Sequence, residues 1–156
     1  MGAYAGRQSG GIRQTPLREV ILVVERDPAR PVALVGADEL SHGDPTPGMT
    51  RHVALHTEEM WSGTVDTEAG AVSGWHHHGE HDTTIYVVSG RMLLESGPGG
   101  EVALEAGPGD FLHVPAGAIH RESNPGQHAS HAVIVRCGRG APTINVDGPA
   151  PRRDQA

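Results

Sequence analysis

Gly109-Asp110-Phe111-Leu112-His113-Val114-Pro115-Ala116-Gly117-Ala118-Ile119-His120-Arg121-Glu122-Ser123-Asn124 carries more information about the fold than any other stretch of this chain. Two short apolar runs, 111–114 and 118–123, are separated by Pro and Gly, which end regular structure and start turns. Outward from this segment the same pattern recurs: apolar runs at 51–57, 60–66, 84–89, 91–95, 101–105 and 130–137 are each bounded by Gly, Pro, Asp or Ser. About eight short strands at regular spacing predict an all-β sandwich or closed barrel.

Composition agrees. The 156 residues include 22 Gly and 12 Pro, and no long segment repeats apolar residues at helical spacing, so tight turns between strands are favoured. A chain of this length fits one core. The ends are rich in Gly, Pro, Arg, Gln and Ala, which predicts flexible segments at 1–16 and 148–156 around a single domain at 17–147. Val20–Val24 reads as an apolar strand, and 31–35 as a further short one. Ser41–Gly48 reads as a loop, while 37–40 and 58–60 are candidate helical turns. Ser89-Gly90 and 97–100 read as hairpin connections.

A net charge of −7 with scattered basic residues leaves no electrostatic footprint for a phosphate backbone, so no nucleic-acid partner is expected. No apolar run has the length of a membrane span, and the first 14 residues lack the hydrophobic segment of a secretory signal; a cytoplasmic protein is the expectation. Cys137 is the one cysteine; in an apolar run it reads as a small core residue.

The chemistry concentrates in His76-His77-His78, followed by Glu80, His81 and Asp82. If 75–78 is extended, the period of two places His76 and His78 on one face, about 6.6 Å apart, with His77 turned away. Two imidazoles that close can converge on one ion. A bare His tract is also a common solvated turn, so a second motif has to decide.

That motif is the opening segment. Gly109, five residues, Pro115-x-Gly117, two residues, His120, three residues, Asn124 resembles the second conserved motif of the cupin superfamily at every position. Gly70, His76, His78 and Gly90 fall at the spacing of the first, whose acidic position is Thr83 here. The resemblance spans roughly residues 50–137. It implies a cupin double-stranded β-helix, a jelly-roll-like barrel of mostly antiparallel strands. It further implies one divalent transition metal (Fe, Mn, Zn, Ni or Co) at His76, His78 and His120, with Pro115 and Gly117 building the turn that delivers His120. Gly117 is expected at positive φ, and Asn124 as a turn residue capping backbone groups.

Because Thr83 cannot supply a carboxylate, the fourth ligand is Asp82 through a local bulge, His81, or water. Asp82 is favoured, since three neutral imidazoles leave a divalent ion uncompensated in a low-dielectric interior. Trp61, Trp75, Tyr86, Phe111 and His113 are candidates for a pocket wall, against core packing as the alternative. Tyr86 is less suited to face the metal than Ile85 or Val87 by strand parity. His52 and His56 share parity and either line the cavity or face solvent. Arg121, Glu122, His128 and His131 default to surface or rim. The resemblance implies a metal-dependent enzyme acting on a small organic molecule, a dioxygenase or an isomerase or cyclase. The alternative is a non-catalytic ligand-binding or metal-binding module. Cupins of this size commonly pair as homodimers through N-terminal strands, and Val20–Val24 fits that role.

Overall fold

A computed structural model describes residue 29 and residues 31–151; the expected strand at Val20–Val24 lies outside them. Eleven strands follow in order: β1 (Ser41–His42), β2 (Met49–His56), β3 (Met60–Thr67), β4 (His76–His77), β5 (Asp82–Ser89), β6 (Met92–Ser96), β7 (Val102–Ala106), β8 (Phe111–Val114), β9 (His120–Ser123), β10 (Ser130–Cys137) and β11 (Ile144–Asn145). One 3-10 turn, Pro98–Gly100, is the sole helical element among the described residues. The strands form two sheets, β1-β2-β3-β10-β5-β8 and β11-β4-β9-β6-β7, and all pairings are antiparallel. This is the double-stranded β-helix that the resemblance led us to expect, within the all-β class that the strand pattern predicts.

The core follows from the period of two. In β3, β5 and β10 alternate residues are buried, so Trp61 and Val65, Ile85 and Val87, and Ala132 and Ile134 point inward and meet Met92 and Leu94 of the second sheet. On β10 the inward row ends at Arg136, whose cross-strand neighbours are Trp61 and Thr83. Hydrophobic filling therefore gives way to polar side chains at one end of the molecule.

Several local expectations change. Residues 31–36 form no strand, and Val32 and Leu34 are fully exposed, because nothing pairs with them among the described residues. Segment 37–40 forms turns and a bend, and 58–59 a bend that leads into β3 at Met60, rather than helical turns; both are too short to nucleate a helix. The loop 41–48 contains β1, paired with β2 at His52 and Val53. The 97–100 turn does join paired strands, β6 and β7. Ser89-Gly90 instead carries the chain from one sheet to the other, since β5 and β6 are not paired. Gly90 makes this corner at φ 77°, with Ser130 Cα 2.6 Å from where a Cβ would stand; glycine alone fits.

Gly63 answers a different need. It faces Val53 at a bulge in β2, and a Cβ on it would lie 2.0 Å from the His52 carbonyl oxygen. Strand interiors accept Gly where two backbones approach this closely. The same bulge breaks the parity between His52 and His56, so the two do not share a face. Cys137 is exposed, because it follows the inward-pointing Arg136 by one residue. No helix among the described residues is long and apolar enough to cross a membrane.

Candidate metal centre

His76 and His120 are brought together by register: they are direct cross-strand partners on β4 and β9. His78 lies just past β4 on the same face as His76, and all three are buried. Ring centroids are 5.1 Å apart for His76–His78, 4.4 Å for His76–His120 and 4.8 Å for His78–His120. The fourth member is Glu122, two residues beyond His120 on β9 and 1% exposed. One donor atom from each of the four lies within 4.8 Å of the others.

The backbone fixes the chemical form of each ring. Nδ1–H of His76 donates to Gly74 O at 3.0 Å, that of His78 to Pro142 O at 2.8 Å, and that of His120 to Ala118 O at 2.9 Å. A carbonyl can only accept, so each Nδ1 carries the hydrogen and Nε2 is the nitrogen left to offer a lone pair. Gly117 takes φ 74° in the turn before His120, as its position in the motif led us to expect. Ser73 holds the Glu122 backbone from both sides: its N–H donates to Glu122 O, and its Oγ accepts from Glu122 N–H.

Within this frame four buried atoms have no hydrogen-bond partner: Nε2 of His78, Nε2 of His120 and both carboxylate oxygens of Glu122. Buried polar atoms are nearly always satisfied, so a convergent group of orphans calls for a ligand. Burial pushes the His78 imidazole down to about 3, helped by the nearby Arg136 charge. Burial likewise lowers His76, partly offset by Glu122. Burial opposes ionisation of Glu122, yet His120, His76 and Arg51 together hold its carboxyl below the usual carboxylate range. His120 Nε2 is 3.8 Å from Glu122 Oε1 and Arg51 Nη2 is 3.9 Å from Oε2, so this is attraction across space rather than hydrogen bonding. Two imidazoles whose protonation burial opposes, His76 and His78, beside a carboxylate held ionised match the protonation states a divalent cation requires.

Asp82 is not among the four. It opens β5 on the exposed side, where Oδ1 lies 3.2 Å from His113 Nε2 and accepts from Ala116 N–H. The ladder around it runs without a bulge, pairing Cys137 with Asp82 and Arg136 with Thr83. Parity therefore turns Thr83 inward and Asp82 out. His81 is buried, with Nδ1 on His78 O at 2.9 Å, and faces a smaller cavity that His56 also lines. Glu122, expected at the surface or rim, is the carboxylate in the cluster. Its signal was present as His120-x-Glu122, the same alternation that singled out His76-x-His78.

A cavity of about 550 Å³ opens beside the cluster, lined by His76, Trp61, Arg51, Arg136, Asp44 and Asn145 among others. Of the aromatic candidates, Trp61 forms part of this wall. Trp75 lies under the Arg121 guanidinium, 4.8 Å from its ring centroid. Tyr86 and Phe111 pack against each other on the outer face, centroids 4.8 Å apart and planes tilted by 44°, and His113 is exposed with Asp82. His52 and His131 flank Asp66 at the surface. Asn124 does cap backbone groups: its Nδ2 donates to Thr67 O and His128 O, and its Oδ1 accepts from Gly126 N–H.

Comparison with known proteins gives one family model, described as a cupin domain, over residues 63–136. No curated protein matches. Among solved structures, KdgF from Halomonas sp. is 25% identical with a TM-score of 0.57, covering 69% of this chain and 96% of that one. A protein with a double-stranded β-helix domain from Klebsiella pneumoniae is 21% identical with a TM-score of 0.60, covering 74% and 98%. Oxalate decarboxylase of Bacillus subtilis, a protein with Mn(II) centres, is 18% identical with a TM-score of 0.57, covering 65% of this chain and 29% of that one.

Proposed function

From the premise that the chain belongs to the cupin superfamily, we propose that it is a metal-dependent enzyme acting on a small organic molecule. In this reading a divalent transition metal is held by His76, His78, His120 and Glu122. The observation that carries it is the convergence of buried ligand atoms with no other partner.

Three imidazoles and one carboxylate suit Fe, Mn, Co, Ni or Zn, and they leave open positions on an ion that prefers six ligands. Bound there, the ion supplies Lewis acidity or, if redox-active, electron transfer to O₂. The chain's own residues do the rest. Carbonyls of Gly74, Ala118 and Pro142 hold the rings with the hydrogen on Nδ1 and Nε2 left for the cluster, and Glu122 would offset the charge of the ion. His76 borders the cavity, so a substrate entering there reaches the cluster from that side. The Mn(II) centres of the Bacillus oxalate decarboxylase support a metal within this fold.

The test is metal analysis of the purified protein, followed by turnover assays with catechol, flavonol, thiol and polyketide substrates under air. About one equivalent of metal, lost in His78→Ala together with turnover, is the expected result. Metal retained at full occupancy in that variant would refute the site. Metal-dependent ligand binding without turnover of any substrate would favour a binding module over an enzyme.

A further inference from the structure

Arg136 is the last inward residue of β10 and is 4% exposed. Its guanidinium lies over Trp61, 4.8 Å from the ring centroid, in a cation–π contact. Its Nε is buried without a hydrogen-bond partner, and no carboxylate among the described residues forms an ion pair with it. Burial draws Arg136 down to about 10, against the attraction of Glu122, so it is still a cation at neutral pH.

A buried charge without a partner is costly, and structures keep one where something else supplies the counter-charge. Arg136 borders the cavity beside the cluster, and Arg51 lines the same wall. Arg51 is also largely buried; its Nη1 donates to Thr46 Oγ1 and its Nη2 faces Glu122. Asp44 is the one acid lining the cavity. With a divalent ion in place, Glu122 and Asp44 would leave a surplus of positive charge around the cavity.

We infer that the cavity takes a small organic anion, with a carboxylate on the Arg136 guanidinium and a second donor group directed at the metal cluster. A planar guanidinium fork matches a carboxylate in two parallel hydrogen bonds, and the cavity volume is that of a small-molecule site. Arg51 contributes long-range attraction while remaining tied to Glu122. This assignment deepens the proposed function and rests on its reading of the cavity as the ligand site.

The experiment uses malonate as probe and malonamide as its neutral counterpart, with full-length protein both metal-free and loaded with Mn(II) or Zn(II). Binding is read by calorimetry and, in metal-free and Zn(II)-loaded protein, by the ¹⁵Nε–H NMR signal of Arg136. Malonate should bind saturably and shift that signal, malonamide should not, and Arg136→Gln and Arg136→Lys should each bind malonate at least tenfold more weakly while keeping wild-type metal content. Equal binding of malonamide, or unchanged malonate affinity in Arg136→Gln, overturns the inference and leaves the metal reading standing. If the protein takes up no metal but malonate still shifts Arg136, the metal reading fails and the anion assignment holds. Should Arg136→Gln not fold, the malonate–malonamide contrast on unaltered protein decides.

Discussion

Lowering the pH should destabilise the metal-free protein through His78. Its ring is fully buried, and its folded value of about 3 lies below the ordinary 6.5. Below 6.5 the unfolded chain takes up a proton that the folded chain refuses, so stability is complete above that value and falls as pH drops toward 3. Well below 6.5 one such group gives a slope of about 1.4 kcal/mol per pH unit, or roughly 2 kcal/mol between about pH 7 and pH 5. His76 is shifted the same way and steepens the loss. The assay is urea unfolding at several pH values, with chelator present, for wild type and His78→Asn. Asn keeps a donor near Pro142 O but has no proton to gain, so its stability should depend less on pH by about that amount. Parallel pH profiles for the two proteins would refute the reasoning.

Three further outcomes follow from single residues. Glu122→Gln should weaken metal binding about tenfold or more by removing the anion beside the ion, whereas Asp82→Asn should leave affinity unchanged; competition with a chromophoric chelator separates them. Asn124→Ala removes three hydrogen bonds, one buried and two partly buried, and should cost about 3 kcal/mol, read as a lower urea midpoint. Gly63→Ala forces a Cβ against the His52 carbonyl and should cost about 2 kcal/mol or more, with a matching fall in thermal midpoint.

Most of the strand set was legible in the sequence because its apolar runs are bounded by Gly, Pro, Asp or Ser, and β3, β5 and β10 add a clear alternation of buried and outward residues. β1, β4 and β11 have two residues each, too few for any period to show. The change of sheet at Gly90 was illegible for another reason: a corner and a hairpin use the same turn residues, and only long-range pairing tells them apart. At the site, His76, His78 and His120 were readable from spacing. The carboxylate was sought beside the histidine tract, where the family motif has it, and Thr83 occupies that inward position. The acid comes from the opposite strand, where Glu122 looked like one more charged residue beside Arg121.

The carbonyl that orients His78 belongs to Pro142, in a segment that also supplies β11 beside β4 and sends Val146 N–H to Trp75 O. Thr143 and Asn145 of that segment line the cavity. All of it lies beyond the stretch that matches the family model, which ends at residue 136. Part of the wall thus comes from a segment that bears none of the four clustered side chains and touches them through one backbone carbonyl. Side-chain substitutions at Thr143 or Asn145 can therefore reshape what the cavity admits while His76, His78, His120 and Glu122 keep their places, so selectivity can diverge without any change in the candidate ligands.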